Sequence, residues 1–278
     1  GVPFCIDLSP AGHQPFHIGS KILCFNGEIY NYLELRAELE LLGVAFDTDT
    51  DTEVFLNAFI IWGEGAFKKF NGMWGAAIYD IDSKELLLVR DQFGIKPLYY
   101  LVDERGVFFG SEIKYFKSLG VLGSCNESAI YQYLRYAETD YDETTFFEGL
   151  FHVAPGEYVK VSSTGISRGT FWSGEELLSD KSDNHSFSAD LKRAVSVRLR
   201  SDVPVGSLLS GGLDSSLIVG ITNEIRGLDR FQAYSAVFNE EIYSEKKFID
   251  LNASFLEFTP NFVYINPGSL QSCSPNRR

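Results

Sequence analysis

The sequence is short of cysteine, histidine, methionine and basic residues, and each shortage closes off a class of chemistry. Its four cysteines, Cys5, Cys24, Cys125 and Cys273, are scattered, so there is no CxxC pair for zinc or thiol exchange. Few, dispersed thiols fit a reducing compartment and predict a cytoplasmic protein. The four histidines offer no metal spacing: Pro15 lies between His13 and His17 and forbids the helix that would align them. Lys and Arg number 24 against 38 Asp and Glu, a formal net charge of −14. That surplus argues against a nucleic-acid partner, which needs a basic face, and against docking on anionic lipid. No run of about 18 apolar residues occurs, so no membrane span is expected. The opening residues lack the basic start and apolar middle of a signal peptide. They also lack an initiator Met; the one Met is Met73.

What is present describes a packed protein. Hydrophobic residues make up 45% of the 278 and aromatics 14%, enough for one large domain or two ordinary ones. No repeat at solenoid periods is visible. KILCF (21–25) alternates as a strand, and NGEIYN (26–31) reads as the turn that leaves it. Residues 32–43 carry Leu33, Leu35, Leu39 and Leu42 at helical spacing, with Gly43 as the stop. Thr50 and Glu53 have capping-box spacing before a mostly buried helix that ends at Gly63. Short apolar runs at 75–81, 85–91, 97–103 and 106–112, with tight polar links, predict an antiparallel meander. Asn126 caps a helix over 127–137, and 156–162 with 165–172 form a further strand pair. The polar, Ser-rich stretch 173–187 reads as a linker. Beyond it, strands alternate with helices, which predicts a parallel sheet: helix 188–200, strand VGSLL (205–209), helix SLIVGITNEI (216–225), strand 232–238 and helix 243–255.

Between the buried strand VGSLL and its helix stands Ser210-Gly211-Gly212-Leu213-Asp214-Ser215-Ser216. Adjacent glycines let a backbone approach a ligand closely. The loop amides and the helix N-terminus face the same space, and three hydroxyls add donors, so the string reads as an anion cradle. It lacks the Lys of GxxxxGK[ST] and is not the loop of phosphoryl-transfer NTPases. Asp214 repels bare phosphate and makes sense where Mg²⁺ bridges carboxylate and phosphate. The alternative is a structural turn with Ser caps and no ligand. The string resembles the pyrophosphate-binding loop of ATP pyrophosphatases, which cleave ATP to AMP and pyrophosphate.

The first part of the chain narrows that resemblance. FNGEIYNYLELRAEL (25–39), TDTDTEVF (48–55), FNGMWGAAIYD (70–80), VRDQFGIKPLYY (89–100) and IDLSPAGHQP (6–15) occur together, in order. They resemble the glutaminase domain of the asparagine synthetase family, over nearly all of residues 6–250. The resemblance implies an αββα glutaminase sandwich at 1–172, the linker at 173–187 and the opening part of a doubly wound α/β ATP-pyrophosphatase domain at 188–278. It implies a glutamine pocket at Asn26, Gly27, Glu28 and Asp51. There, the Asn26 amide and the Gly27 N–H form an oxyanion hole, and Asp51 holds the ammonium of glutamine. On the residues alone, Asn26-Gly27 is equally a simple turn and Asp51 a helix-stabilising acid. The resemblance also sets Leu209 and Val237 against the adenosine of ATP, Ser210 to Ser216 around its pyrophosphate end, and Asp214 toward Mg²⁺. Arg90, Asp91, Lys96 and Pro97 read as architecture. Ser244-Glu245 starts the helix after the next strand, with its role open. The implied partners are the small molecules glutamine, ATP and aspartate or another carboxylate acceptor; a homodimer is left open.

Two departures temper the expectation. The family's nucleophile is an N-terminal Cys whose own amine is the base. Here the chain begins at Gly1, Val2, Pro3, Phe4 and Cys5 replace the strand that carries an Arg for the glutamine carboxylate, and neither Cys5 nor Cys24 takes the role. After about residue 265 the resemblance also ends. The expectation is a partial chain without glutaminase activity; the alternatives are an amidotransferase for another acid and a non-catalytic relative.

Overall fold

The computed structural model describes residues 12–139, 141–175, 186–227, 231–239, 242 and 244–265. The readings of Val2 to Cys5, of 6–11, of 176–185 within the expected linker, of Tyr243 and of the segment from 266 with Cys273 lie outside the described residues. The chain divides into two compact units, Gly1–Ser182 and Asp183–Arg278.

In chain order the first unit holds β1 (Phe16–Ile18), β2 (Lys21–Ile29), α1 (Tyr32–Leu41), α2 (Asp51–Trp62), α3 (Ala66–Lys69), β3 (Gly72–Asp80) and β4 (Glu85–Arg90). Then come β5 (Tyr99–Asp103), β6 (Gly106–Gly110), α4 (Ile113–Ser118), α5 (Glu127–Tyr136), β7 (Leu150–His152), β8 (Glu157–Ser162) and β9 (Gly165–Thr170). Two antiparallel sheets result, one in the order β1-β2-β3-β4-β8-β9 and one in the order β6-β5-β7. The expected meander therefore divides. β3 and β4 pair in the first sheet and β5 and β6 in the second, because β4 takes β8 as its other neighbour, with Leu88 opposite Val159.

Alternation along the strands builds three apolar interfaces and so four layers. Leu87 and Val89 of β4 face the helices with Leu35, Leu39, Phe55 and Trp74, while Leu86 and Leu88 face the second sheet with Tyr100 and Val153. Leu101 and Leu150 then meet Phe116 of α4 on the outer side. A strand buried on both faces has no polar side, which is why ELLLVR reads as a continuous apolar run. This is the αββα arrangement expected. Phe55 anchors the helix side, with Phe70 at 4.7 Å and Trp74 edge-on at 5.5 Å; each such ring pair adds about 0.5–1.5 kcal/mol beyond its buried area.

α2 begins where its sequence says it should. Thr50 Oγ1 accepts the N–H of Glu53 at 3.1 Å, and Gly63 closes the other end with φ 58°. Only half of the expected box forms. Glu53 turns its carboxylate to the N–H groups of Asp47 and Thr48, at 2.9 and 2.7 Å, and so fixes the preceding loop.

The second unit holds α6 (Phe187–Arg198), β10 (Gly206–Leu208), α7 (Leu213–Arg226), β11 (Gln232–Phe238), α8 (Lys246–Phe255) and β12 (Asn261–Ile265). Its sheet is parallel, in the order β10-β11-β12. β11 alternates buried and exposed through seven residues, with Ala233 and Val237 joining Leu209, Val219 and Ile249 in one core. VGSLL is not the fully buried strand its apolar letters predict. β10 lies at one end of this three-stranded sheet and Leu208 is 80% exposed; only Leu209 after it is buried.

Candidate functional site

Two places carry the residues singled out in the sequence. The first is the end of β2. Asn26-Gly27-Glu28 does not turn: β2 runs on to Ile29, paired with β3 so that Gly27 faces Trp74 and Ile29 faces Gly72. Glycine is needed at 27 for space. Its φ is 151°, and a Cβ there would lie 2.0 Å from Met73 O and 2.6 Å from Trp74 Cα. Asn26 is exposed, and its Nδ2 donates to Ser111 Oγ at 2.9 Å. Ser111, just past β6, was not foreseen, because its contact spans 85 residues.

Asp51 opens α2 directly behind that strand. Its Oδ2 accepts the Ile29 N–H at 3.0 Å. Burial pushes its carboxyl up to about 7, against the pull of the Ile29 bond, and the charge of Glu28 adds to the rise. Glu28 is half-buried; burial raises it too, and Lys96 draws it back. Two neighbouring carboxyls held above their ordinary range form a place that gains from a cation, since a positive group restores their ionised forms. Asn26, Gly27 and Glu28 follow one another at the end of β2, and Asp51 bonds the N–H of the next residue, Ile29.

Arg90 and Asp91 hold structure. Asp91 is fully buried and accepts the N–H groups of Trp74, Phe93, Ile95 and Lys96 within 3.1 Å. Arg90 donates to the carbonyls of Gly94, Lys96 and Val153. Cys24 sits within the first sheet, and burial raises its thiol, which keeps it un-ionised and a poor nucleophile.

The second place is the loop between β10 and α7. The helix starts at Leu213 with Gly212 as its N-cap, so the Gly-Gly pair lies at the positive end of the dipole. Ser215 Oγ bridges to Ser210 N at 3.1 Å and to Ser210 Oγ at 2.8 Å. Ser216 Oγ donates to Gly212 O at 2.7 Å. The Gly211 N–H points out of this ring and donates to Glu245 Oε2 at 3.1 Å. A carboxylate drawn onto that amide shows that the position stabilises negative charge. Gly211 is also pressed against α8, where a Cβ would lie 2.8 Å from Phe248 Cβ. A backbone approach without side chain, a helix N-terminus and an amide that takes an anionic oxygen fit the tail of a nucleotide. Asp214 stands exposed in the first turn of α7. Among the described residues no group of three or more His, Cys, Asp or Glu could hold a metal alone; one carboxylate suits a Mg²⁺ that phosphate oxygens share. Leu213 is likewise exposed. Leu209 and Val237 are 2% and 0% exposed. Their side chains belong to the core of the second unit. Among the described residues no helix is long and apolar enough to cross a membrane.

Residues 4–172 match the family model of the glutamine amidotransferase domain, and residues 186–275 match that of asparagine synthase. Asparagine synthetase [glutamine-hydrolyzing] 1 of Bacillus subtilis is 36% identical over 250 residues, 86% of this chain and 38% of that protein. The putative asparagine synthetase [glutamine-hydrolyzing] 2 of Methanocaldococcus jannaschii is 31% identical over 288 residues, 93% of this chain and 54% of that protein. The chain thus spans between about a third and about a half of the length of such relatives. The solved glutamine phosphoribosylpyrophosphate amidotransferase of B. subtilis aligns with 94% of this chain and 53% of its own, at TM-score 0.44 and 16% identity. With its larger part inside the first model and its remainder inside the second, the chain belongs to the glutamine amidotransferase domain family, in the form carried by asparagine synthetases.

Proposed function

We propose that this chain supplies the glutamine pocket and the ATP-tail seat of an asparagine-forming, ATP-dependent amidotransferase. In this reading residues 1–172 bind glutamine, 173–187 link, and 188–278 bind ATP. Ammonia from glutamine amidates aspartate through an aspartyl-adenylate, and AMP and pyrophosphate leave. Asn26 and Gly27 stabilise the oxyanion of the glutamine amide, Glu28 and Asp51 hold the ammonium of glutamine, and Asp214 would hold a Mg²⁺ that offsets the charge of a pyrophosphate seated at 210–216. The observation that carries the reading is the pairing, in one chain, of an acid-lined strand end whose carboxyls are raised by burial with a Gly-Gly loop whose amide takes a carboxylate. The similarity to asparagine synthetases supports aspartate as acceptor. The reading places the protein in the cytoplasm, in keeping with its few thiols.

Calorimetry on the 278-residue chain tests it. ATP with Mg²⁺ is expected to bind, and D214N to weaken binding more with Mg²⁺ than without. Glutamine is expected to bind and, below pH 7, to release a proton as Asp51 ionises, read as a dependence of the heat on buffer. A chain that is folded but binds neither ATP nor glutamine refutes the reading.

A further inference from the structure

Helix α8 reaches the glycine loop with two side chains seven residues apart. Glu245, at its N-cap, takes the Gly211 N–H, and Asn252 donates its Nδ2–H to Ser216 Oγ at 2.8 Å. Between them on the same helical face Ile249 is fully buried. The geometry is a clamp whose middle is core and whose two ends are polar. The ends differ in kind. Asn252 touches a hydroxyl that already bonds within the loop. Glu245 touches a backbone amide, and it brings a negative charge.

Two other polar groups of the loop bond within it. Gly212 N–H goes to Ser210 Oγ at 3.3 Å, and Ser215 Oγ to Ser210 O at 3.0 Å. Gly211 N–H alone in this set is met by an acid from another element. Among the described residues Glu245 forms no ion pair with a Lys or Arg that would explain its position. A carboxylate oxygen and a phosphate oxygen ask the same of an amide, a short charge-assisted bond from one N–H. Both cannot hold it together, and like charges at that separation repel.

We propose that the Glu245 carboxylate is a placeholder for a phosphate oxygen at Gly211. It satisfies the amide while the seat is empty and swings away when a polyphosphate arrives, so nucleotide affinity is set by that exchange. This rests on the reading of 210–216 as a nucleotide seat. Asn252 donates to a neutral hydroxyl and brings no charge that competes with phosphate, so it stays in place through the exchange.

The test is calorimetric titration of ATP and, separately, inorganic pyrophosphate into the wild-type chain, E245A, E245Q and N252A, with thermal unfolding of each as a check on folding. E245A is expected to bind both ligands at least about tenfold more tightly, the effect of removing one competing bond to a charged acceptor. E245Q is expected between E245A and wild type, since its amide oxygen still accepts the Gly211 N–H without charge. N252A is expected to bind no more tightly than wild type. Wild type that binds while a folded E245A binds equally or more weakly overturns the placeholder and leaves the nucleotide seat standing. Neither wild type nor E245A binding either ligand overturns both. If E245A fails to fold, E245Q decides alone: tighter binding than wild type supports the placeholder, and equal or weaker binding overturns it.

Discussion

Asp51 Oδ2 receives the backbone N–H of Ile29 at 3.0 Å, which ties the first residue of α2 to the strand that carries Asn26, Gly27 and Glu28. One buried acid thus fixes the strand end, and its burial and that bond pull its proton in opposite directions. Its folded-state carboxyl lies near 7, above the ordinary Asp value of 3.8, with burial as the main cause. A raised acid holds its proton in the fold after the unfolded chain has lost it. Stability from this group is therefore full below about pH 4 and falls as pH rises toward 7. Each unit of separation is worth about 1.4 kcal/mol, so the loss is bounded at about 4 kcal/mol. D51N stays neutral throughout. Its unfolding free energy by urea is expected to lose less than that of wild type between pH 4 and 7, so the difference grows in favour of D51N. Parallel profiles would remove the buried-acid account.

The approach of β2 and β3 at Gly27 and Trp74 predicts a second effect. A Cβ at 27 meets backbone, Met73 O at 2.0 Å, which has no rotamer to move aside. G27A is expected to destabilise the first unit by about 3 kcal/mol, clash and positive φ together. Gly43 is the control: its φ is 90° but nothing lies within 4 Å, so G43A is expected to cost about 1 kcal/mol. Urea midpoints measure both, and equal costs would show that φ rather than space constrains Gly27.

Two helix starts were legible from their caps. Thr50 and Asn126 both cap where the letters place them, because a cap is made by a residue and the amide three positions on. T50A is expected to lose about 1 kcal/mol in the same urea assay, and T50S to keep most of it, since its hydroxyl still reaches Glu53 N. A T50S as weak as T50A would assign the loss to the methyl group instead.

Contacts across distance were not legible. Asn-Gly is a strong turn signal, yet here the glycine serves a neighbouring strand, and that neighbour begins 45 residues later, at Gly72. Four apolar runs in succession suggested one meander, but nothing local to ELLLVR says that its partner is EYVKVS. VGSLL looked buried because apolar letters do not state where a strand lies in its sheet. The candidate residues were read from their strings, but the partners that hold them, Ser111 for Asn26 and Glu245 for Gly211, come from other elements.

Gly211 and Gly212 are adjacent and chemically identical, but the structure gives them different work. A Cβ on Gly211 would lie 2.8 Å from Phe248 Cβ and 3.1 Å from Glu245 Cβ, both fixed stems of the first turn of α8 and its cap. A Cβ on Gly212 would meet only Ser210 Oγ, at 3.4 Å, and its φ of −80° suits any residue. G211A must push the loop away from α8 and misplace the amide that faces the anion. Its affinity for ATP is expected to fall at least about tenfold, the scale of losing one bond to a charged ligand. G212A replaces an N-cap glycine with a poorer cap and is expected to lose about 0.5–1 kcal/mol of stability, with ATP affinity kept within about twofold. Calorimetry on the two variants side by side separates them. Equal losses would mean that loop flexibility, and not the close approach of Gly211 to α8, is what the ligand needs.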